Sequence, residues 1–253
     1  MDVKETVRQQ FDPVAGEYAV SVIHASGPDL TAMVGALPLR GDERVLDAGS
    51  GAGHSALAFA PYVAQVVALD LADAMLAQGR RLATERGIAN VTFRRGDIEA
   101  LDEPDGSFDV VTSRYSAHHY PHPRRALAEI ARVLKPGGVF LLVDLIASAD
   151  PAPDTVLNAI ELLRDPSHVR DHTREQWLGM LHAAKLVGEV AGTWPLHMQF
   201  DSWVARMRTP LDQVMAIRKA IDQAPREVRE AVAIEPDYSF TVEVALIIGR
   251  KPV

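Results

Sequence analysis

The sequence predicts an α/β fold in which a mostly parallel sheet carries helices on both faces and a helical cap. Three observations predict it. Between residues 43 and 145, short β-rich runs alternate with longer helix-like ones, and strand, helix, strand in repetition makes a parallel sheet covered on both sides. A glycine-rich turn follows the first strand-like run directly. Two more β-rich runs come late, and the second alternates strongly, which suits it to complete the sheet as an antiparallel member.

Taken in order, residues 1–40 are polar and helix-rich. The strand candidates that follow are "ERVLDAG", "AQVVALDL", "VTFRRGD", "FDVVTSRY" and "GVFLLVDLI". Between them lie "SALAFAPYV", "ADAMLAQGRRLATERG" and "HPRRALAEIARVLKPGG". The last has Leu127, Ile130, Val133 and Leu134 at helical spacing, and stops at Lys135-Pro136-Gly137-Gly138, a basic last turn followed by breakers. The late strands are "LVGEVAGTWPLHM" near 186–198 and "YSFTVEVALIIGRK" near 238–251. At 253 residues the natural reading is one domain, 1–253, with an elaboration. Its core is about 41–150 plus the two late strands, and its cap is 1–40, 151–183 and 199–235.

Bulk properties exclude several classes. Hydrophobic residues at 47% and charged residues at 24% are ordinary for a globular protein. No apolar run is long enough to cross a bilayer, and the opening "MDVKETVRQQF" is charged instead of signal-like, so a cytoplasmic location is expected. There are no cysteines, which removes disulfides, Cys-ligated zinc, iron-sulfur clusters and thiol nucleophiles. A net charge of -8 opposes long contact with a nucleic acid. The pairs Arg80-Arg81, Arg94-Arg95 and Arg124-Arg125 read as solvated surface. Oligomeric state leaves no mark on the sequence.

The sharpest motif is "VLDAGSGAGHSALAF". Asp47-Ala48-Gly49-Ser50-Gly51-Ala52-Gly53 lies between a strand and a helix, where glycines let a ligand's polar part approach the backbone. A dinucleotide fingerprint would place its third glycine at position 54, which is histidine. Asp47 at the loop mouth would repel a pyrophosphate, whereas it would favour the ammonium and sulfonium of S-adenosylmethionine. A purely structural turn with a capping acid is the competing reading. Asp70 ends the second strand about 20 positions further on, placed to accept from two ribose hydroxyls, with Leu71 and Met75 offering an apolar side to adenine. Asp73 is assigned the N-cap of the next helix. Asp97 and Ile98 end the third strand, an acceptor for an amino group beside a hydrophobic wall.

"VLDAGSGAG", "VVALDLADAML", "RRGDIEALDEPDGSFDVVTSRYSAHHY" and "ALAEIARVLKPGGVFLLVD" resemble successive motifs of class I S-adenosylmethionine-dependent methyltransferases, in the branch similar to ubiquinone/menaquinone biosynthesis methyltransferases. The resemblance is strong over residues 43–145 and extends through "ELLRDPSHVRDHTREQW" and "FDSWVARMRTP". It implies a seven-stranded Rossmann-like sheet, methyl transfer, and cofactor binding by Asp47, Gly49, Gly51, Asp70, Asp97 and Ile98, with S-adenosylhomocysteine as product. The quinone substrate is not carried over, because the chain is acidic and lacks an obvious apolar entrance.

Methyl transfer needs an aligned nucleophile, exclusion of water and, for many acceptors, a base. "SRYSAHHY" places Arg114, Tyr115, His118 and His119 near the expected methyl group. A metal cluster is disfavoured, because Pro121 and Pro123 interrupt the helix that would bring His118 and His122 together. Site lining and plain packing both remain open for His118 and His119, and His122 reads as surface. A second polar group, Arg164, Asp165, His168, Arg170, Asp171 and His172, is either solvated connector or site. As site, Arg164 and Arg170 would hold a carboxylate or phosphate on the acceptor and His168 would assist the base. Thr173 and Gln176 form a capping box. Phe11, Tyr18 and His24 suggest a lid. Tyr18, Ala48 and Arg114 are assigned with the loop to the cofactor; Phe11, Tyr115, Trp203 and Arg206 are assigned to a small-molecule acceptor, although the aromatic ones could equally be core. The competing functions are a nicotinamide-dependent oxidoreductase and a noncatalytic S-adenosylmethionine-binding protein.

Overall fold

The computed structural model describes residues 2–253; Met1, at the edge of the expected cap, lies outside the described residues. Seven strands form one sheet in the order β3-β2-β1-β4-β5-β7-β6. They are β1 (Arg44–Ala48), β2 (Gln65–Asp70), β3 (Val91–Arg95), β4 (Phe108–Arg114), β5 (Leu134–Ile146), β6 (Val187–Met198) and β7 (Phe240–Arg250). The first five are mutually parallel, β7 runs antiparallel to β5, and β6 runs antiparallel to β7. The winding direction reverses between β1 and β4, so a crevice opens at the carboxyl ends of these two strands, where ligands bind in such sheets.

Strand parity sorts side chains between two layers. On one face Val45, Val66, Ala68, Val110 and Leu141 pack with α5 (His54–Phe59), α6 (Asp73–Glu85) and the N-terminal segment. On the other, Leu46, Val67, Val111 and Leu142 pack with α7 (Pro123–Val133) and α9 (Arg174–Ala183). Of the four positions expected at helical spacing, Leu127, Ile130 and Val133 are buried on α7 inside the second layer, whereas Leu134 already opens β5; each such side chain contributes about 1.5–3 kcal/mol by leaving water.

The N-terminal segment comprises α1 (Val3–Phe11), α2 (Ala15–Ala19), α3 (Val22–Ala25) and α4 (Pro28–Gly35). A third cluster is formed by α8 (Pro151–Arg164), α10 (Phe200–Arg206), α11 (Leu211–Gln223) and α12 (Arg226–Ala231) above the ends of β5, β6 and β7, centred on Trp203, Phe200, Ile217 and Phe240. Two segments expected in the cap belong instead to the sheet layers. In α9, Trp177, Met180 and Leu181 are buried with β5 and β7, and in α4 Met33 joins the first core. Their apolar faces have a sheet within reach, and burying them there removes more apolar surface than a cap edge can. Thr173 and Gln176 do form the capping box at the start of α9.

The glycine inside α6 carries a close approach. A Cβ on Gly79, in the middle of α6, would lie 2.3 Å from Phe93 Cε1. In an open helix Gly→Ala would stabilise by about 1 kcal/mol; here Gly79→Ala is expected to destabilise by about 1–3 kcal/mol through overpacking. Thermal or urea unfolding checks the sign, and a higher melting temperature would contradict it.

Candidate active site

The glycine loop leaves β1 with Gly49, Gly51 and Gly53 all at positive φ, 69°, 52° and 81°. A Cβ at Gly49 would strike Ser116 Oγ at 2.4 Å, whereas one at Gly51 would enter open space, the room a ligand needs. Gly49 N–H and Ser50 N–H both donate to Leu69 O at 2.9 Å, and Gly51 N–H donates to Asp70 Oδ2 at 2.7 Å. The end of β2 thereby moulds the loop after β1.

Asp47 is not where the sequence suggested. Its parity turns it toward α5, directly opposite Thr112 in the β1–β4 register. There it is 1% exposed, accepting from Thr112 Oγ1 at 2.7 Å and from Ala56 N–H at 3.0 Å. Burial pushes its pKa up to about 6, against those two hydrogen bonds. Neither Asp47 nor Ala48 lines the cleft; Asp47 instead ties β1 to β4 and anchors the first turn of α5. Asp73 is likewise corrected. Ala72 occupies the N-cap position, and Asp73 is paired at the surface with Arg95 at 3.0 Å.

A cleft opens at the switch point, lined by Gly49, Gly51, Asp70, Leu71, Met75, Asp97 and Ile98 among others. Asp70 also accepts from Ala72 N–H at 2.9 Å, and burial raises its pKa. Asp97 accepts from Glu99 N–H at 2.9 Å and from Lys4 Nζ at 2.7 Å, while Lys4 also reaches Glu99 Oε2 at 2.7 Å. Lys4 and Glu99 escaped the sequence reading. The 93 positions between Lys4 and Asp97 leave no local signal.

Phe11, Tyr18, His24, Tyr115 and His119 line this cleft and also a second, inner chamber. Their rings form a collar between the two. Phe11 meets Tyr18 edge-on at 5.3 Å and His119 at 5.0 Å, Tyr18 lies 4.6 Å from His24, and His24 meets Tyr115 at 5.8 Å. Tyr115 adopts φ 52° where the chain leaves β4, a left-handed strain of the kind stored at functional sites. Arg114 borders the cleft, but its guanidinium is fully engaged, with Nε on Asp29 Oδ2 at 2.6 Å, Nη1 on His24 O at 2.8 Å and Nη2 on Ile23 O at 2.9 Å. It therefore tethers the N-terminal segment to β4. Asp29→Ala leaves that buried guanidinium unpaired and is expected to cost about 3–5 kcal/mol, measured by chemical denaturation; a loss under 1 kcal/mol would rule out the tether.

The three histidines separate by environment. His118 places Nδ1 2.7 Å from Asp144 Oδ1, and its N–H donates to Asp144 Oδ2 at 3.1 Å. Burial would lower its pKa, yet the charge and hydrogen bond of Asp144 prevail and hold it at about 9. His119 Nδ1 lies 3.0 Å from Ser167 O. A carbonyl only accepts, so Nδ1 carries the hydrogen and Nε2 the lone pair, 4.0 Å from Asp165 Oδ2. Burial and the His118 charge push His119 down to about 4. His168 corrects the expectation of an assisting base. It lines neither space, and its Nε2 donates to Asn158 Oδ1 at 3.1 Å, an oxygen identified by the Asp171 N–H that also donates to it at 2.8 Å. Burial and the charges of His118 and His119 push its pKa down to about 2.

Arg170 is also displaced, ion-paired with Asp154 and bordering a separate surface groove. Trp203 lines no cavity. It is 1% exposed and edge-on to Phe240 at 5.0 Å, because the cap needs a large apolar centre. Arg164 and Arg206 do line the inner chamber. Arg164 donates through Nε to Trp203 O at 3.0 Å and through Nη1 to Glu161 Oε2 at 3.2 Å, whereas Arg206 Nε is buried without an acceptor.

The Methyltransferase domain family matches residues 46–142. The uncharacterized methyltransferase YcgJ of Bacillus subtilis is 40% identical over 246 residues, 95% of this chain and 97% of that protein. The chain belongs to the class I S-adenosylmethionine-dependent methyltransferases. The YcgJ crystal structure superposes on this methyltransferase with a TM-score of 0.86, covering 89% of this chain and 98% of that one. The ubiquinone/menaquinone biosynthesis C-methyltransferase UbiE of Methylobacterium nodulans is 40% identical over 121 residues, but this covers only 46% of this chain and 47% of that protein. The likeness to UbiE thus spans less than half of either chain. Nothing in these likenesses supports the nicotinamide-dependent reading, and no helix among the described residues is long and apolar enough to cross a membrane.

Around its glycine loop this methyltransferase holds a polar cluster the sequence did not disclose. Ser116 Oγ donates to Ala48 O at 3.2 Å, and Tyr120 Oη lies 3.0 Å from Ser113 Oγ and 3.3 Å from Ser116 Oγ. The spacing Ser113, Ser116, Tyr120 was visible. Its meaning depends on the turn Ala117–His119 folding Tyr120 back against β1.

Proposed function

We propose that the enzyme methylates a small molecule bound in the inner chamber, with the cofactor in the larger cleft and His119 as the base for acceptors that lose a proton. The observation that carries this reading is the pair of spaces meeting at one aromatic collar.

The residues of the cleft fit S-adenosylmethionine. The lone pairs of Asp70 not spent on Gly51 and Ala72 serve the ribose hydroxyls, Leu71, Met75 and Ile98 give adenine apolar walls, and Asp97 faces its amino group. When bound, the cofactor supplies a methyl carbon activated by a positive sulfur, so the chain has only to align, dry and deprotonate. The collar of Phe11, Tyr18, His24 and Tyr115 confines the acceptor's approach to one direction and excludes water. His119 stands at the junction, neutral at pH 7 with its Nε2 lone pair available; a proton arriving there is stabilised by the nearby Asp165 carboxylate. His118, held as an imidazolium by Asp144, is unsuited to accept one.

The test is incubation with methyl-labelled S-adenosylmethionine and a metabolite extract, read by mass spectrometry. A low-molecular-mass compound that gains one labelled methyl is expected. Label found only in protein or nucleic acid would overturn the small-molecule reading.

A further inference from the structure

The charged groups around the inner chamber are unequally partnered. Glu161 is taken by Arg164, and Asp144 by His118. Asp165 accepts from both the N–H and the Oγ of Ser167, at 2.8 and 2.6 Å. Asp171 is 1% exposed with neither carboxyl oxygen hydrogen-bonded. Burial raises its pKa. Arg206, in the last turn of α10, reaches the chamber beside Tyr18 and has no ion pair among the described residues, and its buried Nε lacks an acceptor. Burial and the neighbouring Arg164 charge both push its pKa down. A guanidinium keeps its charge in proteins, so Arg206 brings to the chamber a cation with no ion pair among the described residues, and leaving its buried Nε without an acceptor is costly.

We infer that the methyl acceptor carries an anionic group, a carboxylate or a phosphate, and that Arg206 holds it. This deepens the proposed function and rests on it. The planar fork of an arginine matches either anion through two parallel hydrogen bonds. The role first expected of Arg164 with Arg170 thus passes to Arg206, since Arg164 is spent on Glu161 and Trp203 and Arg170 lies on another surface.

The experiment uses the full chain saturated with S-adenosylhomocysteine in low-chloride buffer. Acetate, butyrate, benzoate and phenylacetate are each compared with the corresponding neutral amide, and methyl phosphate and phenyl phosphate are tested beside them, by melting temperature and calorimetry. At least one anion is expected to raise the melting temperature while its neutral counterpart does not, and the acid that succeeds distinguishes carboxylate from phosphate. Arg206→Gln should weaken that anion roughly tenfold or more, Arg206→Lys should weaken it less, and both should bind S-adenosylhomocysteine as the parent does. If Arg206→Gln does not fold, Arg206→Lys and the acid–amide comparison in the parent carry the test. Amides binding as well as acids, or Arg206→Gln retaining the anion, would overturn the inference. Failure of the parent to bind S-adenosylhomocysteine would instead overturn the cofactor reading on which it rests.

Discussion

Replacing Asp70 by alanine is expected to weaken S-adenosylhomocysteine binding by about ten- to a hundredfold or more, since each hydrogen bond to an ionised group is worth about 1.5–3 kcal/mol. The loss has two sources. Asp70 would no longer meet the ribose hydroxyls, and the N–H groups of Gly51 and Ala72 would lose the acceptor that shapes the loop. Asp70→Asn separates them in part, because an amide retains one oxygen for the loop but carries no charge. Asp73→Ala is the control. Asp73 lies three residues further on in the same motif but is exposed and paired with Arg95, so its removal should leave affinity unchanged. Calorimetric titration measures all three. Parental affinity in Asp70→Ala would refute the placement of the cofactor in this cleft.

His119→Gln is expected to lower turnover by about 10²–10⁴-fold for an acceptor that must lose a proton, with S-adenosylhomocysteine affinity retained. The pH profile distinguishes this base from its neighbour. A histidine held near 4 is unprotonated across the neutral range, so kcat/KM should be level there and fall only as acid protonates it, approaching that value. Were His118 the base, with its pKa near 9, the rate would climb throughout the neutral and alkaline range as the imidazolium deprotonated. A profile rising toward pH 9 that is abolished in His118→Gln and preserved in His119→Gln would reverse the assignment.

The two histidines are adjacent in sequence and of the same type, yet at neutral pH one is charged and the other is not. The cause is what each ring meets. His118 faces a carboxylate on β5, 26 residues away, and His119 faces a backbone carbonyl 48 residues away. "SAHHY" marked a site without saying which residue could act. Asp47 is a different case, because its position was legible but its direction was not. Val45 and Asp47 share a strand face, and that face is the one α5 covers, so parity combined with the side taken by the first crossover would have turned the acid away from the loop mouth. For Trp203 the aromatic residue was equally compatible with core and site, and the apolar demand of the cap decided for core.

What the sequence determined is whatever one strand and its following turn can build. Hydrophobic periodicity set the alternation of strands and helices, and the glycines with the strand-end acids Asp70 and Asp97 set a binding crevice, because side chains at the ends of adjacent parallel strands converge wherever the sheet is wound this way. What only the tertiary structure decided is every property that depends on a partner distant in the chain. Lys4 on Asp97, Asp29 on Arg114 and Asp144 on His118 are contacts between separate elements, and Arg206 has no ion pair among the described residues. Charge, tautomer and pKa follow from the dielectric and the neighbours that packing assembles, and packing is settled only when the N-terminal segment and the cap close over the sheet.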